Sequence, residues 1–520
     1  MLEPDRRVLL AALSASLVPF RARSAVTVAL KAPGAVRLGP PRDFSFAWLT
    51  ESAKKAADQP YKTPPTPAAE IIKALDFDAA QKIKFRPDHA LWAGEPVRYP
   101  VSFFHLNRYS PEPVTMHAIE AGKAREILYG MDFFDYGASK LDPKKLGELG
   151  FAGFRVMDGQ DKPTDWLAFQ GASYFRSSGQ DGQYGASARG IAVNTAAATS
   201  EEFPRFSEFW LEPKPEGVSI YALLEGPSLT GAYKFDATKS ETGVLMNTHC
   251  VLFFRADISR LGVAPLTGMY WYGENERRKA MDWRPEIHDN DGLALWNGKG
   301  ERIWRPLINP PQVTTSSFVD NNPKGFGLMQ RDRDFANYQD DGAFYNKRPG
   351  IWVEPRGGWG QGAVQLVEIP TDDEIHDNIV VYWRPDASIR SGDSLSFDYR
   401  VYWQDSEPFF PTTIAKVVAT RLGQGGPPGQ IPVPKDKHKF VVDFTGGPLT
   451  QMPQRFDISP VISTSHGKTE NAYVIRVVGT DRWRAFFDLA VDGGAPVDLR
   501  LYLKLGSKTL SETWLYQYFP

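Results

Sequence analysis

The sequence predicts an all-β fold, in which a large N-terminal β-sandwich is followed by a small immunoglobulin-like β-sandwich. The first observation is compositional: Gly and Pro supply 45 and 41 of the 520 residues, and aromatic residues reach 13%. Many turn residues together with many aromatic side chains favour β-sheet over helix bundles. The second observation is spacing, because short apolar runs are interrupted about every ten residues by Gly, Pro, Asn or Asp, as in a sandwich.

A third observation is regular alternation in two segments, each of which is predicted to be a half-buried strand. Apolar and polar residues alternate over 395–403, and leucines alternate with polar residues over 499–505. Because successive side chains of a strand point to opposite faces, this pattern gives one buried and one solvated face. Short helices are expected over 44–57 and over 141–150.

The first 25 residues have the layout of a secretory signal. Arg6 and Arg7 precede an apolar run from Val8 to Phe20, and small residues follow it. The run is too short for a bilayer span of about 20 residues, and the arginine pair indicates the twin-arginine export route. A signal anchor that stays attached is the alternative. We expect an exported, soluble mature protein without stable membrane insertion.

The remainder of the chain divides at a segment rich in Gly and Pro. Residues 423–434 read GQGGPPGQIPVP, which is incompatible with a regular helix or strand. The predicted parts are a signal peptide over 1–25, a large β-sandwich over 26–404, a linker or loop over 405–437 and an immunoglobulin-like domain over 438–520.

Charge, cysteine content and missing motifs exclude several classes of function. The formal net charge is −2, so no basic field exists to hold nucleic acid. Cys250 is the only cysteine, which excludes an intramolecular disulfide and a zinc ribbon. The sequence has no HExxH motif, Walker loop, GxSxG elbow or GxGxxG fingerprint. We expect no metal and no cofactor.

Acidic residues are concentrated in the central segment. Two acidic clusters share the tripeptide His-Asp-Asn, at 288–290 and at 376–378. Glycoside hydrolysis needs two carboxyl groups facing a cleft, one that donates a proton and one that helps to deprotonate water. Spacing alone leaves open that both clusters are ordinary solvated loops. The same segment holds aromatic and basic side chains suited to sugar rings and hydroxyls, among them Trp352, Tyr345, Arg284 and Arg348.

Longer motifs carry a resemblance to a known family. They run in one order from FAGFRV at 151–156 to LSETW at 510–514 and include RPEIHDNDGL, GFGLMQRDRDF and VQLVEIPTDDEIHDNIVVYW. The chain resembles the periplasmic osmoregulated-glucan biosynthesis proteins over nearly its whole mature length, and its twin-arginine start is closer to the D paralogue than to the G paralogue. The family has a large N-terminal β-sandwich joined to a smaller immunoglobulin-like domain, which agrees with the division above.

The resemblance implies action on β-1,2-glucan by a protein similar to inverting endo-β-1,2-glucanases. Asp377 matches the family's general acid, and Asp289 matches its general base, which works through a relay of waters. Glu374 matches a carboxylate of that relay, whereas Tyr345 and Arg348 match sugar contacts. The Gly/Pro-rich loop would fold over the cleft. Burial and a neighbouring negative charge both raise the pKa of a carboxyl, which suits Asp377 as the acid.

Two rivals to the glucanase stay open at this point. An inverting transglycosylase would use the same residues, with a sugar hydroxyl in place of water, and would close a glucan chain into a ring. A non-catalytic scaffold for glucan biosynthesis would bind sugar without breaking a bond. In each case the partner is β-1,2-glucan and not nucleic acid, and a homodimer is compatible with the resemblance.

Overall fold

The computed structural model describes residues 36–139, 141–427 and 429–520, so the predicted signal over 1–25 lies outside the described residues. The all-β prediction is confirmed, because strands dominate these ranges and helices are few and short. The helices are Phe46–Ala57 (α1), Ala69–Ala74 (α2), Phe77–Gln81 (α3) and Phe335–Tyr338 (α4). None of the helices in the described ranges is long and apolar enough to cross a membrane.

Helix α1 confirms the helix predicted over 44–57. The Ser45 hydroxyl caps it by accepting a backbone N–H of the first turn at 3.1 Å, as an N-cap residue does. Leu49 and Ala53 are buried on one side, where the Thr230 hydroxyl donates to the Ala53 carbonyl at 2.7 Å. The helix is therefore fastened to the sheet through its apolar face.

The helix predicted over 141–150 is wrong. The structure has a single 3-10 turn at Pro143–Lys145. Gly147 and Gly150 then adopt φ values of +65° and +75°, which a right-handed helix does not accommodate. Gly147, inside the predicted helix, and Gly150, at its end, therefore interrupt a helical path.

Strands in the described ranges carry the rest of the fold. The first eleven are Arg42–Asp43 (β1), Lys84–Phe85 (β2), Val101–Phe104 (β3), Thr115–Glu120 (β4), Lys123–Glu126 (β5), Phe134–Asp135 (β6), Gly153–Met157 (β7), Asp165–Gln170 (β8), Tyr174–Ser177 (β9), Ser187–Arg189 (β10) and Ile191–Val193 (β11). The next nine are Arg205–Lys214 (β12), Gly217–Glu225 (β13), Leu229–Ser240 (β14), Gly243–Phe254 (β15), Leu261–Gly268 (β16), Tyr270–Tyr272 (β17), Ile287–His288 (β18), Gly292–Trp296 (β19) and Arg302–Pro306 (β20). The others are Thr314–Asn321 (β21), Gly325–Met329 (β22), Gly350–Arg356 (β23), Gln361–Glu368 (β24), Ile379–Pro385 (β25), Ser394–Gln404 (β26), Lys416–Gln424 (β27), Lys437–Thr445 (β28), Ile458–Thr464 (β29), Lys468–Arg476 (β30), Trp483–Ala490 (β31), Val497–Leu505 (β32), Lys508–Thr509 (β33) and Thr513–Tyr518 (β34).

Two large sheets organise these strands. The larger sheet, of 16 described strands, has the order β1-β5-β4-β12-β13-β14-β15-β26-β23-β22-β19-β20-β34-β32-β29, with β33 beside β32. The ten-stranded sheet has the order β21-β24-β25-β16-β10-β9-β8-β7-β3, with β11 beside β16. The smaller assemblies are a four-stranded sheet, β27-β28-β31-β30, and the ribbons β17-β18 and β2-β6. Both strands predicted from alternation, over 395–403 and 499–505, are confirmed as β26 and β32.

The two large sheets pack face to face through aromatic side chains. Phe154, Phe169 and Phe175 stack in a row across β7, β8 and β9, with ring centroids 5.1 and 4.9 Å apart. From the larger sheet, Phe235 meets Phe169 at 5.4 Å and Trp403 meets Phe175 at 6.1 Å. One face of the ten-stranded sheet is therefore an apolar interior, and the other face is free to carry polar residues.

The C-terminal part is a smaller sandwich that shares a sheet with the larger one. Phe440 and Phe487 of the four-stranded sheet pack on Trp514 of β34 at 6.1 and 6.2 Å. Strand β34 in turn pairs in parallel with β20, where Trp304 lies opposite Trp514. The larger sheet therefore runs without a break from the first unit into the second.

The linker predicted over 405–437 is wrong in part. Lys416–Gln424 forms β27, which pairs along its length with β28. Val417 has no exposed surface, so apolar burial holds this segment in the four-stranded sheet. The described residues from 425 to 436, which carry most of the Gly and Pro, contain no helix or strand. The predicted irregular segment is real but begins later than expected.

Candidate functional site

The strand pairing brings Asp289 and Asp377 together. Asp289 follows β18, Asp377 lies just before β25, and the β17-β18 ribbon continues directly from β16, the neighbour of β25. The Asn378 side chain accepts the Tyr270 N–H at 2.8 Å and donates to the Tyr270 carbonyl at 2.9 Å. The Asn378 amide thus makes the pair of backbone hydrogen bonds that a neighbouring strand would make with β17. It thereby holds Asp377, the preceding residue, beside the β17-β18 ribbon.

Asp377 has the electrostatics of a proton donor. Asp377 is 7% exposed. Its pKa is raised to about 8, mainly by burial and in addition by the negative charge of Asp289. The positive charges of Arg176 and Arg348 oppose this rise. Within the described ranges no group hydrogen-bonds its carboxyl. A carboxyl that keeps its proton at neutral pH, with its bonding capacity unused, can protonate a leaving oxygen.

Asp289 is fixed by an ion pair. Its Oδ1 accepts a hydrogen bond from Nη1 of Arg348, and its backbone N–H donates to the Met269 carbonyl at 2.8 Å. Both paired side chains are 5% exposed. The guanidinium therefore sets the direction of a carboxylate whose second oxygen accepts no hydrogen bond from the described residues.

Glu374 belongs to the same network. Its carboxylate accepts two hydrogen bonds from Arg284, both at 2.9 Å, and one from the Tyr345 hydroxyl at 2.5 Å. The Arg348 guanidinium lies over the Tyr345 ring, 4.2 Å from its centroid. A line of contacts therefore leads from Glu374 through Tyr345 and Arg348 to Asp289.

The basic and aromatic residues predicted to bind sugar engage carboxylates instead in this structure. Tyr345 and Arg348 are buried, and their polar groups bond Glu374 and Asp289. Arg284 bonds three carboxylates, those of Asp282, Asp340 and Glu374. These contacts make them positioning residues for the acidic groups, and direct contact with sugar stays a prediction.

Trp352, also predicted to bind sugar, is a core residue. It lies on β23, is 1% exposed and belongs to the apolar cluster around the C-terminal unit. Its ring fills the space beside Gly325, where a Cβ would come within 2.1 Å of it. A ring enclosed in this way has no face to offer a sugar, so the structure corrects that prediction.

Arg176 is a site residue that the sequence reasoning missed. It lies on β9, its charge lowers the pKa of Asp377, and its guanidinium lies over the Tyr184 ring at 4.6 Å. The available signal was its position, because a cation directly follows the apolar run GASYF and needs a polar partner wherever the strand is covered.

A second group of buried charges, which we call the Arg331 cluster, consists of Arg331, Asp291, Glu407 and Glu512. Arg331 bonds Glu512 at 2.5 Å and Glu407 at 2.7 Å, and the Asp291 carboxylate accepts the backbone N–H groups of Arg331 and Asp332 at 3.0 and 2.9 Å. Because Glu512 comes from the C-terminal unit, the cluster joins the two units. In the part of the chain that the structure describes, no His, Cys, Asp or Glu group is arranged to hold a metal ion.

The fold and the site together define a class of two-unit β-sandwich proteins with a buried pair of aspartates. A family model described as "Periplasmic glucan biosynthesis protein, MdoG" matches residues 44–518. The chain therefore belongs to this family of periplasmic glucan biosynthesis proteins, as the resemblance predicted.

Curated relatives extend the match over nearly the whole chain. "Glucans biosynthesis protein D 2" of Ralstonia nicotianae is 50% identical, covering 99% of this chain and 98% of that protein. "Glucans biosynthesis protein D" of Xanthomonas axonopodis pv. citri is 47% identical, covering 95% of this chain and 93% of that protein. Among solved structures, a polysaccharide lyase aligns with a TM-score of 0.23 and 10% identity over 70% of this chain and 44% of its own, a likeness too weak to carry an argument.

Proposed function

We propose that the protein is a periplasmic, inverting endo-β-1,2-glucanase, with Asp377 as general acid and Asp289 as general base acting through a relay of waters. The observation that carries the proposal is the pair itself: a buried carboxyl with a pKa raised to about 8 beside a second aspartate. Membership of a periplasmic glucan biosynthesis family supports the location and the choice of glucan.

The chemistry assigns one proton transfer to each aspartate. Asp377 gives its proton to the glycosidic oxygen as the bond from that oxygen to the anomeric carbon breaks. A water attacks the anomeric carbon from the opposite side, and its proton passes through further waters to Asp289. Asp377 ends ionised and Asp289 protonated, so the two return to their starting states by exchanging protons with solvent.

The orientation of Asp289 is maintained by Glu374, Tyr345 and Arg348. Arg348 directs Asp289, Tyr345 packs under the Arg348 guanidinium, and Glu374 holds the Tyr345 hydroxyl. Small displacements of a reacting group have large costs in rate. We therefore assign Glu374 a role in orienting the base side of the site, in agreement with its predicted association with the water relay.

The test is product analysis of linear β-1,2-glucan by mass spectrometry and NMR, using purified protein, Asp377→Asn and Asp372→Asn. Asp372 is the matched control, because it lies on the same loop and is exposed. We expect shorter linear chains from the parent and from Asp372→Asn but not from Asp377→Asn. Products lighter by one water, without new reducing ends, would replace hydrolysis by the cyclising transglycosylase. Binding without any cleavage would replace it by the scaffold.

A further inference from the structure

A single buried amide lies behind the Asp289–Arg348 ion pair. Gln330 directly follows β22 and has no exposed surface. Its Nε2 donates to the His288 carbonyl at 3.3 Å and to the Tyr345 carbonyl at 3.0 Å. The first acceptor immediately precedes Asp289 in the chain, and the second belongs to the turn that ends at Arg348. One side chain therefore joins the two backbone segments that carry the members of the pair.

The Asp289 side of this bridge is a peptide group held at both ends. His288 is the last residue of β18, and its carbonyl and the Asp289 N–H belong to the same peptide group. The carbonyl accepts from Gln330, and the N–H donates to the Met269 carbonyl at 2.8 Å. Because a peptide group is planar, two such bonds fix the direction in which the Asp289 side chain leaves the backbone.

The Arg348 side of the bridge is a short turn closed on the same carbonyl that Gln330 bonds. Tyr345–Lys347 is a single 3-10 turn, and the Arg348 N–H donates to the Tyr345 carbonyl at 3.2 Å. The Tyr345 ring then packs under the Arg348 guanidinium, 4.2 Å from the ring centroid. A shift of this carbonyl would therefore move both the ring and the guanidinium that contacts Asp289.

The orientation of the Gln330 amide follows from its partners. The Tyr338 hydroxyl donates to the Asp332 carbonyl at 3.0 Å, so its oxygen accepts from Gln330 Nε2 at 3.0 Å. All three partners of Nε2 are thus acceptors, which requires the nitrogen of the amide at this position. The oxygen end then faces Nδ1 of His288, which donates to it at 3.1 Å.

The His288 ring holds the amide in that orientation. Its other nitrogen, Nε2, lies 3.1 Å from the Glu286 carboxylate, and the ring has no exposed surface. Burial opposes a charged ring, but the hydrogen bond and the charge of Glu286 raise the pKa of His288 overall. The ring also stacks on Tyr270 at 5.5 Å and meets Tyr338 edge-on at 5.3 Å. A ring bonded at both nitrogens and packed between two others fixes the Gln330 amide.

We propose that Gln330 is a positioning residue for the base side of the site, which holds Asp289 and Arg348 against each other through their backbones. This role rests on the proposed function for its effect on the reaction, whereas its effect on the ion pair does not depend on cleavage. Gln330 has no exposed surface with which to touch sugar. Its loss therefore lowers turnover more than affinity, because small displacements of a reacting group are costly in rate.

The kinetic test compares the parent protein with Gln330→Met and Gln365→Met on linear β-1,2-glucan. Methionine is close to glutamine in length and lacks the amide. Gln365 is the matched control, because it is 6% exposed and its amide bonds the Ser317 hydroxyl on the neighbouring strand β21. We expect kcat to fall about 10- to 100-fold in Gln330→Met with KM nearly unchanged. Both constants should stay near the parent values in Gln365→Met.

A second variant, Gln330→Glu, covers the case in which Gln330→Met does not fold. Its carboxyl keeps the acceptor for His288, but when protonated it can donate to only one of the two bridged carbonyls. We expect a fall in kcat of the same kind. Unchanged kcat in a folded Gln330 variant, or an equal fall in Gln365→Met, overturns the positioning role. Loss of the fold in both Gln330 variants but not in Gln365→Met makes Gln330 a core residue and overturns it too.

Crystal structures of the parent and of Gln330→Met separate the positioning role from the glucanase. We expect the Tyr345–Lys347 turn to move and the hydrogen bond from Arg348 Nη1 to Asp289 to lengthen or break. That displacement, found in a parent protein that binds glucan without cutting it, supports the positioning role and overturns the glucanase. An ion pair that stays in place overturns the positioning role and does not affect the glucanase proposal.

Discussion

The aspartate pair and the Arg331 cluster both contain buried aspartates and arginines, yet their carboxylates have different hydrogen-bond partners. Asp289 and Asp291 are two residues apart. The Asp291 carboxylate accepts two backbone N–H groups, whereas Asp289 contacts Arg348 and lies close enough to Asp377 to raise its pKa. Burial raises the pKa of both Asp291 and Asp377, so the difference between the two regions lies in hydrogen bonding: the Asp291 carboxylate is occupied by backbone N–H groups, and proton transfer needs a carboxyl with free bonding capacity.

The largest difference between the two regions is expected when Asp289 and Asp291 are neutralised in separate variants. Asp289→Asn removes the proposed base, so we expect kcat/KM on linear β-1,2-glucan to fall by about 10²–10⁴-fold with the fold retained. Asp291→Asn loses one carboxylate oxygen to a poorly matched amide, so we expect the free energy of unfolding to fall by about 1–3 kcal/mol. Activity per folded molecule stays near the parent value.

Kinetics and urea unfolding on the two variants decide the matter. Equal losses of activity would mean that both aspartates serve the same site, which would contradict a purely structural role for Asp291.

The second test is aimed at the arginine that joins the two units. Arg331→Met leaves Glu512 and Glu407 buried without their shared partner, so we expect a loss of about 3–5 kcal/mol in the free energy of unfolding. Arg356→Met is the control, because Arg356 is half exposed on β23 and surface changes are usually within about 0.5 kcal/mol. Urea titration measures both, and a fully stable Arg331→Met protein would contradict the structural role of the cluster.

The third test is the pH dependence of kcat/KM, which depends on the protonation of Asp377. As the proposed acid, Asp377 would act in its protonated form, and its pKa is raised to about 8. We therefore expect kcat/KM to be maintained below that pH and to fall above it. Arg176 lowers the pKa of Asp377, so Arg176→Gln should move the alkaline fall to higher pH. A pH–rate profile of the two proteins checks the sign, and a shift to lower pH would remove Asp377 from the role of acid.

The smallest effect is expected at Tyr345. Tyr345→Phe deletes the hydroxyl that donates to Glu374 and leaves the ring under Arg348. One hydrogen bond to a charged group contributes about 1.5–3 kcal/mol, and we expect kcat to fall by about tenfold while KM changes little, since the role is orientation. A rise in KM at constant kcat would instead identify Tyr345 as a sugar contact, as the resemblance predicted.

Particular residues explain what the sequence could and could not predict. The shared His-Asp-Asn tripeptides marked Asp289 and Asp377, and alternation marked β26 and β32, because both signals are local. The role of Arg176 and the pairing of β20 with β34 depend on contacts between distant parts of the chain. Trp352 was misassigned because a tryptophan in a core and one in a sugar groove look alike until burial is known.

The anomeric configuration of the first reducing ends, followed by proton NMR during cleavage of linear β-1,2-glucan, decides whether Asp377 and Asp289 act as an inverting pair. A base that activates water opposite an acid at the glycosidic oxygen inverts the anomeric carbon. With Asp377 as acid and Asp289 as base, we expect α-anomers to appear first and then to equilibrate by mutarotation. The appearance of β-anomers first would contradict it, because Asp289 and Asp377 could not then be an inverting pair.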